Sequence, residues 1–446
     1  EDERARAALR GAVTRRLTVI AGGPGTGKTS AVARVLALLH ERSEQPPLVA
    51  LAAPTGKAAV NLADSVHAEA GRLDIADATR AWLRDLTATT LHRLLGARPG
   101  SRSRFRHDHT SRLPHDVVIV DETSMVSLTL MARLLDALRP DTRLILVGDP
   151  DQLSSIEAGA VLGDIVGPAA AAAAAASAPG PLAAGVVVLD RLYRYRGGIA
   201  LVADAVRRGD PDALLAALDA GGDDVTWIAA DAADLRGDPR LAPVRDAATA
   251  AGRDVIAAAR EGDGARALQA LGRFRLLCAH RRGPYGVSTW MPAVESWLAT
   301  EIEAAGGRAR DYPGRPLLIT ANDYDLNLFN GDTGVVVAAP DDRLQAVFER
   351  RGGLTRVRPN QLGAVETVYA MTVHKSQGSQ FGTAAVLLPP PTSRILTREL
   401  LYTGVTRARD RLIVVGTEES LRAAITRPAT RASGLGARLW PTPESR

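Results

Sequence analysis

The sequence predicts an α/β protein built from two parallel-sheet lobes, the second interrupted by a small antiparallel β-barrel. Three observations predict this. Short, uniformly apolar, β-branched runs alternate with helical stretches through the first 190 residues, the pattern of strands buried on both faces. A second series of such runs begins near Arg275. Between 315 and 364 the pattern changes to short strand-like runs split by turns such as Asn330-Gly331 and Asp341-Asp342, which suits an antiparallel insert.

In the first lobe the expected strands are Leu17 to Ala21, Leu48 to Ala53, Val117 to Val120, Arg143 to Val147 and Val186 to Leu189. In the second they are Arg275 to Ala279, Thr367 to Met371, Thr383 to Leu388 and Arg411 to Val415. Alternation of strand and helix implies an open parallel sheet in each. Gly71 to His115 is arginine-rich and irregular, and reads as an insertion in the first lobe. Ala169 to Pro181 is alanine-, proline- and glycine-rich, and reads as a mobile loop. The expected organisation is residues 1–188 for the first lobe, 189–314 for the first part of the second, 315–364 for the insert, and 365–446 for the remainder of the second.

The chain has 446 residues, 46% of them apolar and 24% charged, an ordinary globular balance. No run approaches the roughly 18 uninterrupted apolar residues of a membrane span. Cys278 is the single cysteine; it excludes internal disulfides, reads as a core residue, and fits a reducing cytoplasm. A net charge of +5 is compatible with a polyanionic partner without proving one. Of the 55 basic residues only Lys28, Lys57 and Lys375 are lysines. All three lie in Gly-, Ser- or Thr-rich motifs of phosphate-binding type, where a compact ammonium has a use that arginine does not match.

The first of these motifs is Gly22-Gly23-Pro24-Gly25-Thr26-Gly27-Lys28-Thr29-Ser30, between an apolar strand and an amphipathic helix. Glycines let backbone N–H groups curl around phosphate oxygens, and the helix N-terminus adds its partial positive charge. Lys28 is placed to reach the β- and γ-phosphates of ATP, and the Thr29 hydroxyl to ligate Mg²⁺. Val117 to Glu122 is an apolar strand ending in two acids. Asp121 is expected to hold Mg²⁺ and Glu122 to act as general base on the attacking water. A helix cap is the plainer reading of such a pair on its own. Gln152 follows the strand Arg143 to Val147, where it could touch the γ-phosphate or the attacking water. These elements predict nucleoside-triphosphate hydrolysis and leave open what the hydrolysis drives.

The remaining motifs resemble those of superfamily-one helicases, and within them the RecD branch, the motor subunits of RecBCD exonucleases. Ala52 to Ala59 (AAPTGKAA) and Thr90 to Gly96 (TLHRLLG) resemble the branch's first DNA-contacting motifs. Leu189 to Tyr195 (LDRLYRY) resembles its fourth motif, Thr372 to Phe381 (TVHKSQGSQF) its fifth, and Leu400 to Gly416 (LLYTGVTRARDRLIVVG) its sixth. Asn327 to Val336 resembles the inserted barrel of this branch. The motifs keep the family's order over residues 17–416.

The resemblance implies two RecA-like motor lobes, ATP and Mg²⁺ as cofactors, and 5′-to-3′ movement along single-stranded DNA. It implies RecB- and RecC-type partners in double-strand-break repair and recombination. Arg194 and Arg407 match the family's arginines that meet the γ-phosphate. Thr55, Lys57 and His92 in the first lobe, and Thr372, His374 and Lys375 in the second, match its DNA contacts. Hydroxyl, imidazole and ammonium groups suit backbone phosphates and read no bases; a structural role is the alternative for His92 and His374. Two other functions fit the same motifs: a stand-alone 5′-to-3′ helicase, and an ATP-switched DNA clamp that does not move.

Several positions depart from the family pattern. No glutamine precedes the phosphate loop, Gln380 stands where relatives usually carry glutamate near the ribose or phosphate loop, and Ser154 replaces a usual proline. The chain opens at Glu1 without a methionine and reads as a fragment, and the branch's N-terminal partner-docking domain is not apparent in it. With all three lysines assigned elsewhere, no Asp-x-Lys nuclease pattern remains. His280 to Gly286 (HRRGPYG) is a basic loop able to meet DNA, a partner or solvent. His107, His109 and His115 lack metal-ligand spacing.

Overall fold

The computed structural model describes residues 3–97, 104–155, 159–172, 180–190, 197–234, 237–306, 311–323, 325–340, 343–350, 353–429 and 434–440. It divides into two compact units: Glu1–Arg194 with Thr430–Arg446, and Tyr195–Ala429.

In the first unit the strands are β1 (Leu17–Gly22), β2 (Val49–Ala53), β3 (Ala88–Thr90), β4 (Val117–Val120), β5 (Arg143–Gly148) and β6 (Val186–Leu189). They form one sheet in the order β3-β2-β4-β5-β1-β6, parallel at every pairing. Successive side chains go to opposite faces. Val19, Val118, Leu144 and Leu146 enter one core, while Ile20, Ile119, Ile145 and Val147 enter the other. Burial on both faces is why these strands read as unbroken apolar runs rather than alternating ones.

The segment read as an irregular insertion contains helix Asp77–Asp85 and strand β3, which adds an edge to the main sheet. A three-residue polar strand, Ala-Thr-Thr, carries no apolar run for a sequence pattern to detect. Part of the expected mobile loop is helical: Val161–Ala172 is a helix with non-helical dihedrals at Gly167. The expectation that 365–446 completes the second lobe is corrected at its end. Residues 434–440 pack on the first unit, where the Trp440 indole donates to the Asp164 carbonyl at 3.0 Å.

The second unit contains β7 (Val225–Ile228), β8 (Phe274–Cys278), β9 (Pro316–Ile319), β10 (Thr333–Ala339), β11 (Arg343–Arg350), β12 (Gly353–Val357), β13 (Val365–Thr367), β14 (Ala370–Thr372), β15 (Phe381–Leu387) and β16 (Ala408–Val415). Five of these make a parallel sheet in the order β14-β8-β15-β16-β7. The other five make the antiparallel insert, in the order β12-β11-β10-β9-β13. The expected strand over 367–371 is in fact two: β13 closes the insert and β14 starts the return to the parallel sheet. No helix among the described residues is long and apolar enough to cross a membrane.

Candidate nucleotide and nucleic-acid sites

In the first unit the sequence-predicted hydrolysis residues converge on the carboxyl ends of three neighbouring strands, β4, β5 and β1, where parallel α/β sheets bind ligands. The loop after β1 runs into helix Lys28–Arg42 through Gly27, whose φ of 88° only glycine adopts at little cost. Lys28 Nζ donates to the Gly22 carbonyl at 2.7 Å and the Gly23 carbonyl at 2.9 Å. The ammonium thus folds back over its own loop. Thr26 is buried and donates to the Gly23 carbonyl at 2.8 Å, bracing the loop. Ser30 turns its hydroxyl away to Glu69 at 3.0 Å, in helix Gly56–Ala70. Thr29 opens the first turn of its helix beside Lys28.

After β4, Asp121 N–H donates to the Ala52 carbonyl at 2.9 Å, extending the β2–β4 pairing by one residue. Its carboxylate accepts from the Glu122 N–H at 2.8 Å. Burial, then the adjacent Glu122 charge, pushes the Asp121 pKa up to about 6, with Lys28 pulling the other way. An enclosed acid held against ionisation in this way is chemically suited to a divalent cation, which would restore the charged form. Glu122 has φ 50°, a conformation that costs a non-glycine residue roughly 1–2 kcal/mol. That strain turns the chain sharply into Thr123–Met125 directly after the acids.

Between these two elements, β5 delivers Asp149 and Gln152. Gly148 permits the approach, since a Cβ there would stand 2.7 Å from Leu162 Cδ2 and 3.1 Å from the Thr123 nitrogen. Asp149 is 1% exposed and Gln152 5%. Gln152 Nε2 donates to Asp149 Oδ2 at 3.0 Å, and Gln152 Oε1 is buried with no partner among the described residues. Burial raises the Asp149 pKa, with the Lys28 charge opposing. Sequence reasoning singled out Gln152 and passed over Asp149. In the run Gly-Asp-Pro-Asp-Gln an aspartate before proline looks like a turn residue, and only the fold reveals it as enclosed.

Thr55 and Lys57 sit at the start of helix Gly56–Ala70, after β2. The Thr55 hydroxyl caps that helix, accepting from the Ala58 N–H at 3.2 Å. His92 follows β3 on a short helix and is exposed, its ring 6.0 Å from that of Phe105. Since β2 and β3 are parallel neighbours, all three residues emerge at one sheet edge.

In the second unit, Thr372 ends β14 and its hydroxyl accepts from the Lys375 N–H at 3.2 Å. His374 and Lys375 lie on the turn His374–Ser376. Lys375 Nζ is 3.3 Å from Glu366 Oε2 of β13, a partner that sequence reasoning did not anticipate. Arg407 is 3% exposed. It donates to the Thr403 and Ser379 carbonyls, both at 3.0 Å, and to the Thr406 hydroxyl at 3.3 Å. Asp410, three residues on, meets Arg409 at 3.3 Å. Gln380 is half-buried just before β15. Arg194 lies outside the described residues. His109 approaches Asp136 at 3.4 Å, and no group of three or more metal-binding side chains converges among the described residues.

A family profile described as an AAA domain matches residues 5–158, and one described as a UvrD-like helicase C-terminal domain matches 367–415. The RecBCD enzyme subunit RecD of Mycolicibacterium smegmatis is 51% identical over 444 residues, covering 98% of this chain and 75% of the relative. The chain belongs to the RecD family. A second RecD-family relative, the ATP-dependent RecD2 DNA helicase of Deinococcus radiodurans, is 32% identical over 417 residues, or 92% of this chain and 48% of the relative. Among solved structures, the Pif1 helicase from Bacteroides in complex with ADP-AlF3 and single-stranded DNA aligns with a TM-score of 0.49 at 15% identity, over 93% of this chain and 92% of that one.

Proposed function

We propose that this chain is an ATP-dependent 5′-to-3′ single-stranded DNA translocase and helicase, the RecD-type motor of a RecBCD-type helicase–nuclease. The observation that carries the catalytic half of this reading is the convergence of Lys28, Asp121, Glu122, Asp149 and Gln152 on three adjacent strand ends. Polarity and assembly come from the family: the Mycolicibacterium relative is named as a RecBCD subunit and the Deinococcus relative as an ATP-dependent helicase. RecB- and RecC-type chains are therefore the partners expected for this one, in the cytoplasm.

In the proposed mechanism the loop Gly22 to Thr29 cradles the triphosphate through its N–H groups, and Lys28 leaves its carbonyl partners for the β- and γ-phosphates. Thr29 and Asp121 would hold Mg²⁺, which when bound neutralises phosphate charge. Glu122 takes a proton from the attacking water. Arg194 and Arg407 are the cations assigned to γ-phosphate charge. Thr55, Lys57 and His92 in the first unit are assigned to backbone phosphates, as are Thr372, His374 and Lys375 in the second. Gln380 is assigned to the nucleotide edge of the second unit.

A stopped-flow assay tests the motor. Fluorophores are placed at the 5′ or the 3′ end of single strands of increasing length. The expected result is a lag that grows with strand length and a signal of arrival at the 3′ end. A lag independent of length would leave an ATP-switched clamp, and arrival at the 5′ end would reverse the polarity. Co-purification with two large partners distinguishes the RecBCD-type motor from a stand-alone helicase.

A further inference from the structure

The basic loop His280 to Gly286 follows β8, and β8 is the parallel neighbour of β14, with Thr372 opposite Cys278. Pairing continues past the strand ends, because the Val373 N–H donates to the Cys278 carbonyl at 3.0 Å. The segments Ala279-His280-Arg281 and Val373-His374-Lys375 therefore leave the same end of the parallel sheet from neighbouring strands. The loop is tightly built. The Gly286 N–H donates to the Gly283 carbonyl at 2.9 Å. The buried Trp290 indole donates to the Pro284 carbonyl, and the Thr289 hydroxyl to the Gly283 carbonyl, each at 2.8 Å. Tyr285 donates to Asp231 at 2.8 Å, and His280 Nε2 lies 3.0 Å from the Ser393 hydroxyl.

At the tip of this rigid turn stand Arg281 and Arg282, both exposed. Among the described residues neither guanidinium has a hydrogen-bond or carboxylate partner. Some other exposed arginines of the same unit meet carboxylates: Arg253 meets Glu301, Arg266 meets Glu261, and Arg273 meets Asp254. Even Lys375, on the neighbouring turn, is shared with Glu366. Two unneutralised guanidiniums held on a preorganised turn, beside residues expected to take phosphates, make a ready anion site.

We propose that Arg281 and Arg282 form a further phosphate-binding subsite for single-stranded DNA, continuing the track of Thr372, His374 and Lys375. The inference rests on the reading of that track as a DNA contact. Guanidiniums on the turn add affinity and register along the strand without reading bases.

The test is binding of a fluorescein-labelled oligothymidylate by the whole chain, followed by anisotropy across a KCl series. Each phosphate contact contributes about 0.7 to the slope of log K against log salt for single strands. The Arg281→Ala/Arg282→Ala variant is expected to flatten the slope by about 1.4 with an unchanged melting temperature. Arg281→Lys/Arg282→Lys is expected to retain most of the slope. Lys375→Ala is run in parallel. If Lys375→Ala weakens binding while the double alanine variant matches the parent, the track stands and the proposed subsite falls. If none of the variants changes binding, the reading of the whole edge falls with it. If the double alanine variant keeps its DNA affinity but no longer co-purifies with partner subunits, the turn is a protein-docking element and the proposal is overturned.

Discussion

The side-chain amide of Gln152 donates to the buried carboxylate of Asp149 at 3.0 Å, so one end of the glutamine is fixed and its Oε1 remains an acceptor. An acceptor suits an O–H of the attacking water better than a phosphate oxygen, which itself needs a donor. Asp149 is thus a positioning residue for Gln152. Asp149→Ala should lower DNA-stimulated kcat by about tenfold or more while KM for ATP changes little, as expected when a group acts mainly in the transition state. Asp149→Asn, which can still accept from the amide, should recover much of the loss. Steady-state ATPase kinetics check both variants, and a loss confined to KM would assign Gln152 to binding instead.

Lys28→Gln should abolish ATP turnover while binding of single-stranded DNA persists. The ammonium rests on the Gly22 and Gly23 carbonyls of the phosphate loop, whereas the proposed DNA contacts lie on other elements. Retained turnover in a coupled ATPase assay would refute the role.

Arg407→Ala should leave ATP affinity nearly intact and cut turnover by about 10³ or more, the scale of a lost arginine finger. Because Arg407 also ties together the Ser379 and Thr403 carbonyls, the melting temperature must be recorded alongside. An effect on turnover below about tenfold would mean that another cation meets the γ-phosphate.

Glu366→Gln should tighten binding of single-stranded DNA, because the Glu366 carboxylate competes with phosphate for the Lys375 ammonium. Both groups are substantially exposed, so the gain should not exceed about fivefold at low salt and should vanish as salt rises. Anisotropy titrations at two ionic strengths check it; weaker binding would assign Glu366 a supporting role.

Most strands of the two parallel sheets were legible in the sequence because double-sided burial writes itself as continuous apolar runs, though the edge strand β7 was not among those expected. Val117–Val120 and Val186–Leu189 lie where those runs predict. The phosphate loop and the Asp121-Glu122 pair were legible because each needs fixed residue types at fixed spacing. What escaped depends on tertiary placement. Strand β3 is short and polar. The burial of Asp149 follows from β5 lying between β4 and β1. The Glu366–Lys375 pair joins a strand of the insert to the turn that follows β14. Arg194 matches a motif, yet it falls outside the described residues, so its assignment rests on the motif.

The return of residues 434–440 to the helix Val161–Ala172 also bears on how the protein is made. Leu435, Leu439 and Trp440 cover one of the two cores of the first sheet, but they leave the ribosome only after the whole second unit. The first unit therefore waits, partly uncovered, until the second unit has been made. A nascent chain stalled before Trp440 should be cut by protease in its first unit more readily than the released protein.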